Sequence, residues 1–361
     1  MVYKNKVFCY ILILAGIFYL VSCKINSSQN SVKHNTGGYN FDTLLIEHFS
    51  INSSVRAIFP LDENTCWYAG SDGQFGFTVD GGKTWNIDSL QHPDQPNLAF
   101  RSIAIAGNSV FLLSIASPTL LFKSDDWGKN WKVVYKENDS LAFYDAMAFW
   151  DKNEGIAMGD PTDGCLSVIK TGDGGNTWRK ISCTFLPPSL EGEAAFAASN
   201  SNLALYGDKV WMVSGGRAAR VFCSSDRGEN WEVYNTPIVQ GDQMTGIFSV
   251  DFYDANIGAI IGGDWNKKHK NTSNKALTRD GGKTWELVAE GAEPGYRSCI
   301  QFLDEKSANH LLAVGIPGIS YSADLGATWI KIANESFYTF RNTGRVIWLA
   351  GNQKIGRWPI Q

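Results

Sequence analysis

The chain has 361 residues, with 32 Lys and Arg against 36 Asp and Glu, a net charge of −4. That balance, with no basic stripe along the chain, excludes nucleic acid as a partner. The length suggests two domains by the usual prior, but closed β architectures can use it as one, and the high counts of 13 Trp and 36 Gly are largely those of a repeat.

The N-terminus reads as a targeting segment. Lys4 and Lys6 precede an apolar run over 7–21, which has signal-peptide length and is short for a membrane span. Leu20-Val21-Ser22-Cys23 resembles the bacterial lipobox, which implies that 1–22 is a lipoprotein signal peptide and that Cys23 carries the lipid. Cleavage nearby or retention of the apolar run as an anchor are the rivals. Each places the folded part outside the cytoplasm, in the cell envelope. Residues 23–42 are polar and rich in Ser, Asn and Gly, the composition of a flexible tether. The remainder, 43–361, is expected to be one domain.

Residues 43–51 alternate as a strand does. From there the chain repeats. The pattern [Ser/Thr]-x-Asp-x-Gly-x-[Thr/Asn]-Trp occurs six times, at 78–85, 124–131, 171–178, 224–231, 278–285 and 322–329. Its acidic positions are Asp80, Asp126, Asp173, Asp226, Asp280 and Asp324. A repeat with this period signals a propeller or an array. Each copy suits a tight hairpin: Gly supplies φ > 0, Asp accepts turn N–H groups, and Trp opens the next strand with a large apolar face. The acidic residues are therefore read as structural turn staples rather than as metal ligands or catalytic acids. Between copies the pattern supplies three further strands, so each unit is a four-stranded blade. Units begin near Ser54, Phe100, Phe143, Glu193, Thr245 and Tyr296. After the last copy, 336–341, 345–350 and 354–360 read as three strands. Pairing them with 43–51 completes a seventh blade and closes the ring without exposed edges. The expectation is an all-β, seven-bladed propeller, with six blades as the alternative.

Setting aside Cys9 and Cys23, five cysteines remain, an odd number that is no disulfide framework. Cys165 and Cys183 lie symmetrically about Gly174, which makes them cross-strand neighbours in a hairpin. A disulfide and two buried thiols both fit that spacing.

The octamer is the Asp-box, or BNR repeat, so the chain resembles the Asp-box β-propeller proteins. Box and blade lengths are similar to those of the seven-bladed photosystem II stability and assembly factor family, which implies a non-enzymatic binding or assembly module. Sialidases share Asp-boxes on six blades and hold the substrate carboxylate with three Arg. That resemblance implies a glycoside hydrolase as the alternative. F-Y-D-A-M-A-F-W-D and G-I-A-M-G-D-P-T-D-G are similar to segments of secreted bacterial proteins labelled oxidoreductases, which implies a third reading. No dinucleotide, C-x-x-C or haem-attachment motif supplies redox chemistry, the five His are scattered, and no cofactor or metal is expected.

Strand direction places the boxes on one face and the longer loops on the other, where function is more often carried. Innermost strands start at that second face with Arg56, Arg101 and Arg297, and with Asp145 and Glu193. Second strands end there with Asp160, Arg217 and Asp264. Convergent Arg residues suit a carboxylate or phosphate, bound bidentately. Arg56, Arg101, Arg297, Arg217 and Asp264 are the expected ligand-binding set. Asp145, Asp160, Glu193 and Tyr144 are the catalytic candidates should the chain be an enzyme. Inter-blade ion pairs are the competing reading. The expected partner is a ligand or envelope protein at the face opposite the boxes, with the membrane reached through lipid on Cys23.

Overall fold

A computed structural model describes residues 39–42, 45–304 and 306–360. The expected signal peptide 1–22, the expected lipidation site Cys23 and residues 24–38 of the expected tether lie outside the described residues. Among those described, 28 strands form six hydrogen-bonded sheets. Four sheets are simple four-stranded meanders, such as Phe100–Ala106, Ser109–Ser114, Thr119–Ser124 and Lys132–Glu137. The inner strands are almost wholly buried and the outermost is half-exposed, as in Ser109–Ser114 against Lys132–Glu137. The core lies between adjacent sheets: Trp67 and Phe75 of one pack with Phe100, Leu112, Leu120 and Phe122 of the next, with Leu98 of the connecting segment in the same cluster.

The propeller is six-bladed, which corrects the expectation of seven. The terminal strands do meet, but they do not form a sheet of their own. Glu47–Pro60 is one 14-residue strand. Its first part pairs with Val346–Pro359, with Glu47 opposite Arg357, and its second part pairs with Cys66–Gly70, with Val55 opposite Gly70. The chain ends and the first blade are therefore one six-stranded sheet. The stretch 52–53 was expected to separate a strand ending at Ile51 from one beginning near Ser54. It has no Gly or Pro to break the ladder, and the strand passes through it with a shift of register between Ser50 and Ser54.

The fourth blade also begins later than expected. Its innermost strand is Leu203–Tyr206, whereas Glu193–Ala194 pairs with Gly215–Gly216 at the edge of the fifth blade's sheet. Gly215 lies directly opposite Gly246. A Cβ on Gly246 would sit 2.3 Å from the Gly215 Cα, so only a residue without a side chain fits.

Cys165 and Cys183 form a disulfide, with Cα atoms 5.5 Å apart. Cys183 sits not in the hairpin strand but in a short 3-10 turn after it, Cys183–Phe185. Free Cys66 and Cys299 are buried, and Cys223 is half-buried.

Candidate functional site

The boxes consume their own polar groups. Thr78 Oγ1 donates to Asp80 Oδ1 at 2.8 Å, and the Gly82 N–H returns to Thr78 Oγ1 at 2.9 Å. The Thr84 N–H and hydroxyl donate to Asp80 Oδ1 and Oδ2 at 2.9 and 2.6 Å. The Thr84 hydroxyl is the main reason the Asp80 pKa falls to about 2. Where Asn130 replaces Thr, its amide donates to Asp126 Oδ2 at 2.6 Å and does the same task. A carboxylate so occupied has little capacity left for a ligand.

The opposite end of the strands is where the chemistry gathers. In the first blade Thr78 pairs with Cys66 and Cys66 with Pro60, so the box lies at that end, while Arg56 lies beside Val55 at the other. There a cavity of about 490 Å³ opens. Arg56, Arg101, Asp160 and Glu193 line it, with Phe143, Phe196, Phe248, Trp265 and Tyr296 as aromatic walls. The rings brace one another. Phe196 stacks on Phe248 with centroids 3.9 Å apart, and Tyr296 meets both Phe248 and Trp265 edge-on.

Its floor is a segment the sequence did not announce. Residues 195–202 cross the centre of the ring and are held by innermost strands from almost every side. Asn200 Oδ1 accepts from Ser102 Oγ at 2.7 Å and from the Met147 N–H at 3.2 Å, and its amide donates to the Ile103 carbonyl. Ser199 Oγ donates to the Ser298 carbonyl at 2.6 Å, and Ser201 Oγ meets Ser249 Oγ at 2.8 Å. Arg341 donates to the carbonyls of Ser199 and Asn200 at 3.2 and 2.6 Å. Below this plug lies a second cavity of about 250 Å³, lined by Asp251, Gln301 and Arg341 among apolar side chains.

Arg56 and Arg101 both reach the plug. Arg101 Nη1 donates to the Ala197 carbonyl at 3.1 Å, and Arg56 Nη1 reaches the Ala198 carbonyl at 3.5 Å. The Arg56 guanidinium lies 3.9 Å over the Tyr338 ring. Neither has a carboxylate within ion-pair distance among the described residues. Burial, and then the neighbouring Arg56, draw the Arg101 pKa down to about 10, against the pull of Asp145, so it stays charged at neutral pH. Two adjacent guanidinium groups in an aromatic-walled cavity, hydrogen-bonded only to carbonyls and with the Arg56 Nε unpartnered, favour an anionic group between them.

The acidic candidates divide. Asp160 lines the cavity and accepts the Ala195 N–H at 2.7 Å; burial lifts its pKa to about 6. Asp145 is fully buried, neither of its oxygens meets a protein donor, and burial with Asp160 nearby pushes its pKa well up. Glu193 is already engaged. Its Oε1 accepts from Arg220 Nε at 2.9 Å and Ser214 Oγ at 2.5 Å, and its Oε2 takes Arg220 Nη2 and the Leu190 N–H. Arg220 was missed by the sequence reading, which chose Arg217 from the same G-G-R-A-A-R run. Arg217 is exposed and pairs with Glu191 at 3.7 Å.

The other candidates do not join the cavity lining. Arg297 is buried, donating to Ser320 Oγ and the Tyr296 carbonyl, both at 2.8 Å, with Glu293 at 3.8 Å. Asp264 caps the 3-10 turn Trp265–Lys267. Tyr144 packs between the second and third blades. The three arginines therefore do not converge as a sialidase site would need, and Tyr144 does not approach a free Glu193. No cluster of metal-ligating side chains occurs among the described residues.

Comparison with known proteins agrees with this architecture. The family described as photosynthesis system II assembly factor YCF48 matches residues 46–142. A curated relative, the photosystem II assembly lipoprotein Ycf48 of Synechococcus sp. (strain CC9902), is 24% identical over 262 residues, 64% of this chain and 74% of its own length. The solved structure of YCF48 bound to D1 peptide superposes with a TM-score of 0.64 at 16% identity, covering 87% of this chain and 97% of that one. Virginiamycin B lyase from Staphylococcus aureus reaches 0.63 at 13% identity, covering 89% and 99%. At such identities the structures show the fold alone, and a lyase and a peptide-bound protein share it equally. The repeat, the matched family and the curated relative together make this chain a BNR/Asp-box propeller that resembles the photosystem II assembly factor.

Proposed function

We propose that this chain is an extracytoplasmic, lipid-anchored assembly module that binds a carboxylate-bearing segment of an envelope protein in the cavity at Arg56 and Arg101. The observation that carries the reading is the pair of unpaired guanidinium groups set in an aromatic-walled cavity of about 490 Å³. That size and lining suit a few side chains of a ligand, oriented by a small number of polar contacts. The peptide held by the structurally similar YCF48, and the lipoprotein named among the relatives, support a protein partner and a lipid anchor at Cys23. Glycoside hydrolysis is less favoured, because Glu193 is held by Arg220 and Arg297 lies outside the cavity lining.

The test is site-specific photocrosslinking from position 143 in intact cells. The expected result is a discrete crosslinked envelope protein that disappears in Arg56→Gln/Arg101→Gln, with the fold retained. Crosslinking that survives the double substitution overturns the reading. So does turnover of a glycoside by the purified chain that Asp160→Asn abolishes.

A further inference from the structure

The cavity wall on the fifth-blade side continues into a run of cations that the binding reading leaves unused. Met244, Trp265 and Tyr296 all line the cavity. The Trp265 N–H donates to the Met244 carbonyl at 3.0 Å, and the Tyr296 N–H donates to the Lys268 carbonyl at 2.9 Å. The loop 266–270, N-K-K-H-K, is therefore stitched to the wall at both sides. Its start is fixed as well, because Asp264 Oδ1 accepts the N–H groups of Asn266 and Lys267. Lys268 Nζ lies 4.3 Å over the Trp265 ring, while Lys267, His269 and Lys270 are exposed. Among the three lysines only Lys267 has an ion-pair partner among the described residues, Asp264 at 3.4 Å. The net charge of the loop with its cap is positive, and Trp265 and Tyr296, which hold it, line the same cavity as Arg56 and Arg101.

A solvated loop tip need not be held in this way. A basic arm fixed to the wall of a cavity that holds Arg56 and Arg101 sets further cations beside that cavity, enough to meet more than a single carboxylate. We infer that the partner is an acidic protein segment, which seats an apolar side chain and a carboxylate in the cavity and runs its remaining acidic residues along Lys267, Lys268 and Lys270. The inference rests on the binding reading above and gives the partner its chemistry. Charge complementarity selects an acidic polypeptide over a neutral one. An anionic lipid headgroup would engage the lysines and leave the aromatic cavity unfilled.

The experiment measures binding of fluorescein-labelled decapeptides of alternating Glu and Leu, and of Gln and Leu, to the purified chain from residue 24 onward. The salt dependence is recorded, and vesicles of anionic phospholipid serve as a separate probe. The acidic peptide is expected to bind at least tenfold more tightly than the neutral one, with affinity falling steeply with salt. Lys267→Ala/Lys268→Ala/Lys270→Ala is expected to lose about tenfold in affinity and to flatten the salt dependence, since exposed charge pairs are worth a fraction of a kcal/mol each. Lys267 and Lys270 are exposed and Lys268 is half-buried over Trp265, so the melting temperature of the triple variant is measured alongside to confirm that the fold is retained. Equal binding of the two peptides, an unchanged affinity in the triple variant, or binding of vesicles in preference to the acidic peptide overturns the inference. Loss of binding in Arg56→Gln/Arg101→Gln with no effect of the triple variant refutes the basic arm and leaves the cavity reading standing. Failure of both sets of variants to alter binding refutes both.

Discussion

Replacing Glu193 by Ala should destabilise the fold severely, for reasons unrelated to catalysis. The side chain is fully buried and Arg220 is nearly so. Truncation leaves the guanidinium without its carboxylate, and it also removes the acceptor of the Ser214 hydroxyl and the Leu190 N–H. Breaking one side of a buried ion pair costs about 3–5 kcal/mol, most of it the penalty of an uncompensated charge. With roughly 2–4 °C of melting temperature per kcal/mol in domains of 150–250 residues, a drop of about 5–15 °C is expected for this larger ring. Differential scanning calorimetry of wild type, Glu193→Ala and Glu193→Met/Arg220→Met checks the reasoning. The double variant removes both charges and should recover most of the loss. A single variant that melts within about 2 °C of wild type, no further than a surface substitution would move it, would refute the structural assignment and return Glu193 to the catalytic candidates.

Asp160 makes the opposite kind of prediction. Its folded pKa of about 6 lies above its ordinary value of 3.8. Below 3.8 both the folded and unfolded forms hold the proton. Between 3.8 and 6 the folded form retains a proton that the unfolded form releases, so stability falls as pH rises through that window and stays reduced above it. Asp160→Asn keeps an acceptor for Ala195 and cannot ionise. It should therefore melt higher than wild type at pH 8, by an amount on the order of 2–3 kcal/mol, and match it at pH 3.5; equal melting at both pH values would contradict the burial argument. The disulfide closes a loop with a sequence separation of 18, which the chain-entropy relation values at about 3 kcal/mol. Cys165→Ser/Cys183→Ser should lower the urea midpoint, and dithiothreitol should shift wild type to the same midpoint and leave the variant unmoved.

The Asp-boxes were readable because the hydrogen bonds of their Asp carboxylates and leading hydroxyls close within eight residues. Thr78, Asp80, Gly82 and Thr84 satisfy one another, so the pattern alone specifies the turn. Strand direction followed from the boxes, and with it the face on which Arg56, Arg101 and Asp160 meet. The blade count was not readable in the same way. It turned on whether 51–54 ends a strand, and the pairings that carry the strand through come from the two ends of the chain, about 300 residues apart. The plug was hidden for a related reason. E-A-A-F-A-A-S-N-S-N alternates well enough to pass for an innermost strand. Its small residues are instead suited to threading a narrow centre, and the Asn and Ser side chains bond to strands far away in sequence. Arg220 was passed over because the expected end of a second strand pointed to Arg217, and only the fold shows that the buried arginine three residues on is the one that pairs with Glu193.

The plug has a consequence for how the molecule can be used. A propeller with an open centre can serve as a conduit, and occupancy at one mouth can be felt at the other by direct passage. Here the backbone of 195–202 partitions the centre, so the two mouths are chemically separate compartments. The partition is also a shared fastening. Asn200 joins the second and third blades, Ser199 and Ser201 join the sixth and fifth, and Arg341 ties the same backbone to the C-terminal strands. A ligand that pulls Arg101 away from the Ala197 carbonyl therefore tugs on a segment to which four other parts of the ring are bonded, and the far compartment, with Asp251 and Gln301 on its wall, lies directly beneath that segment.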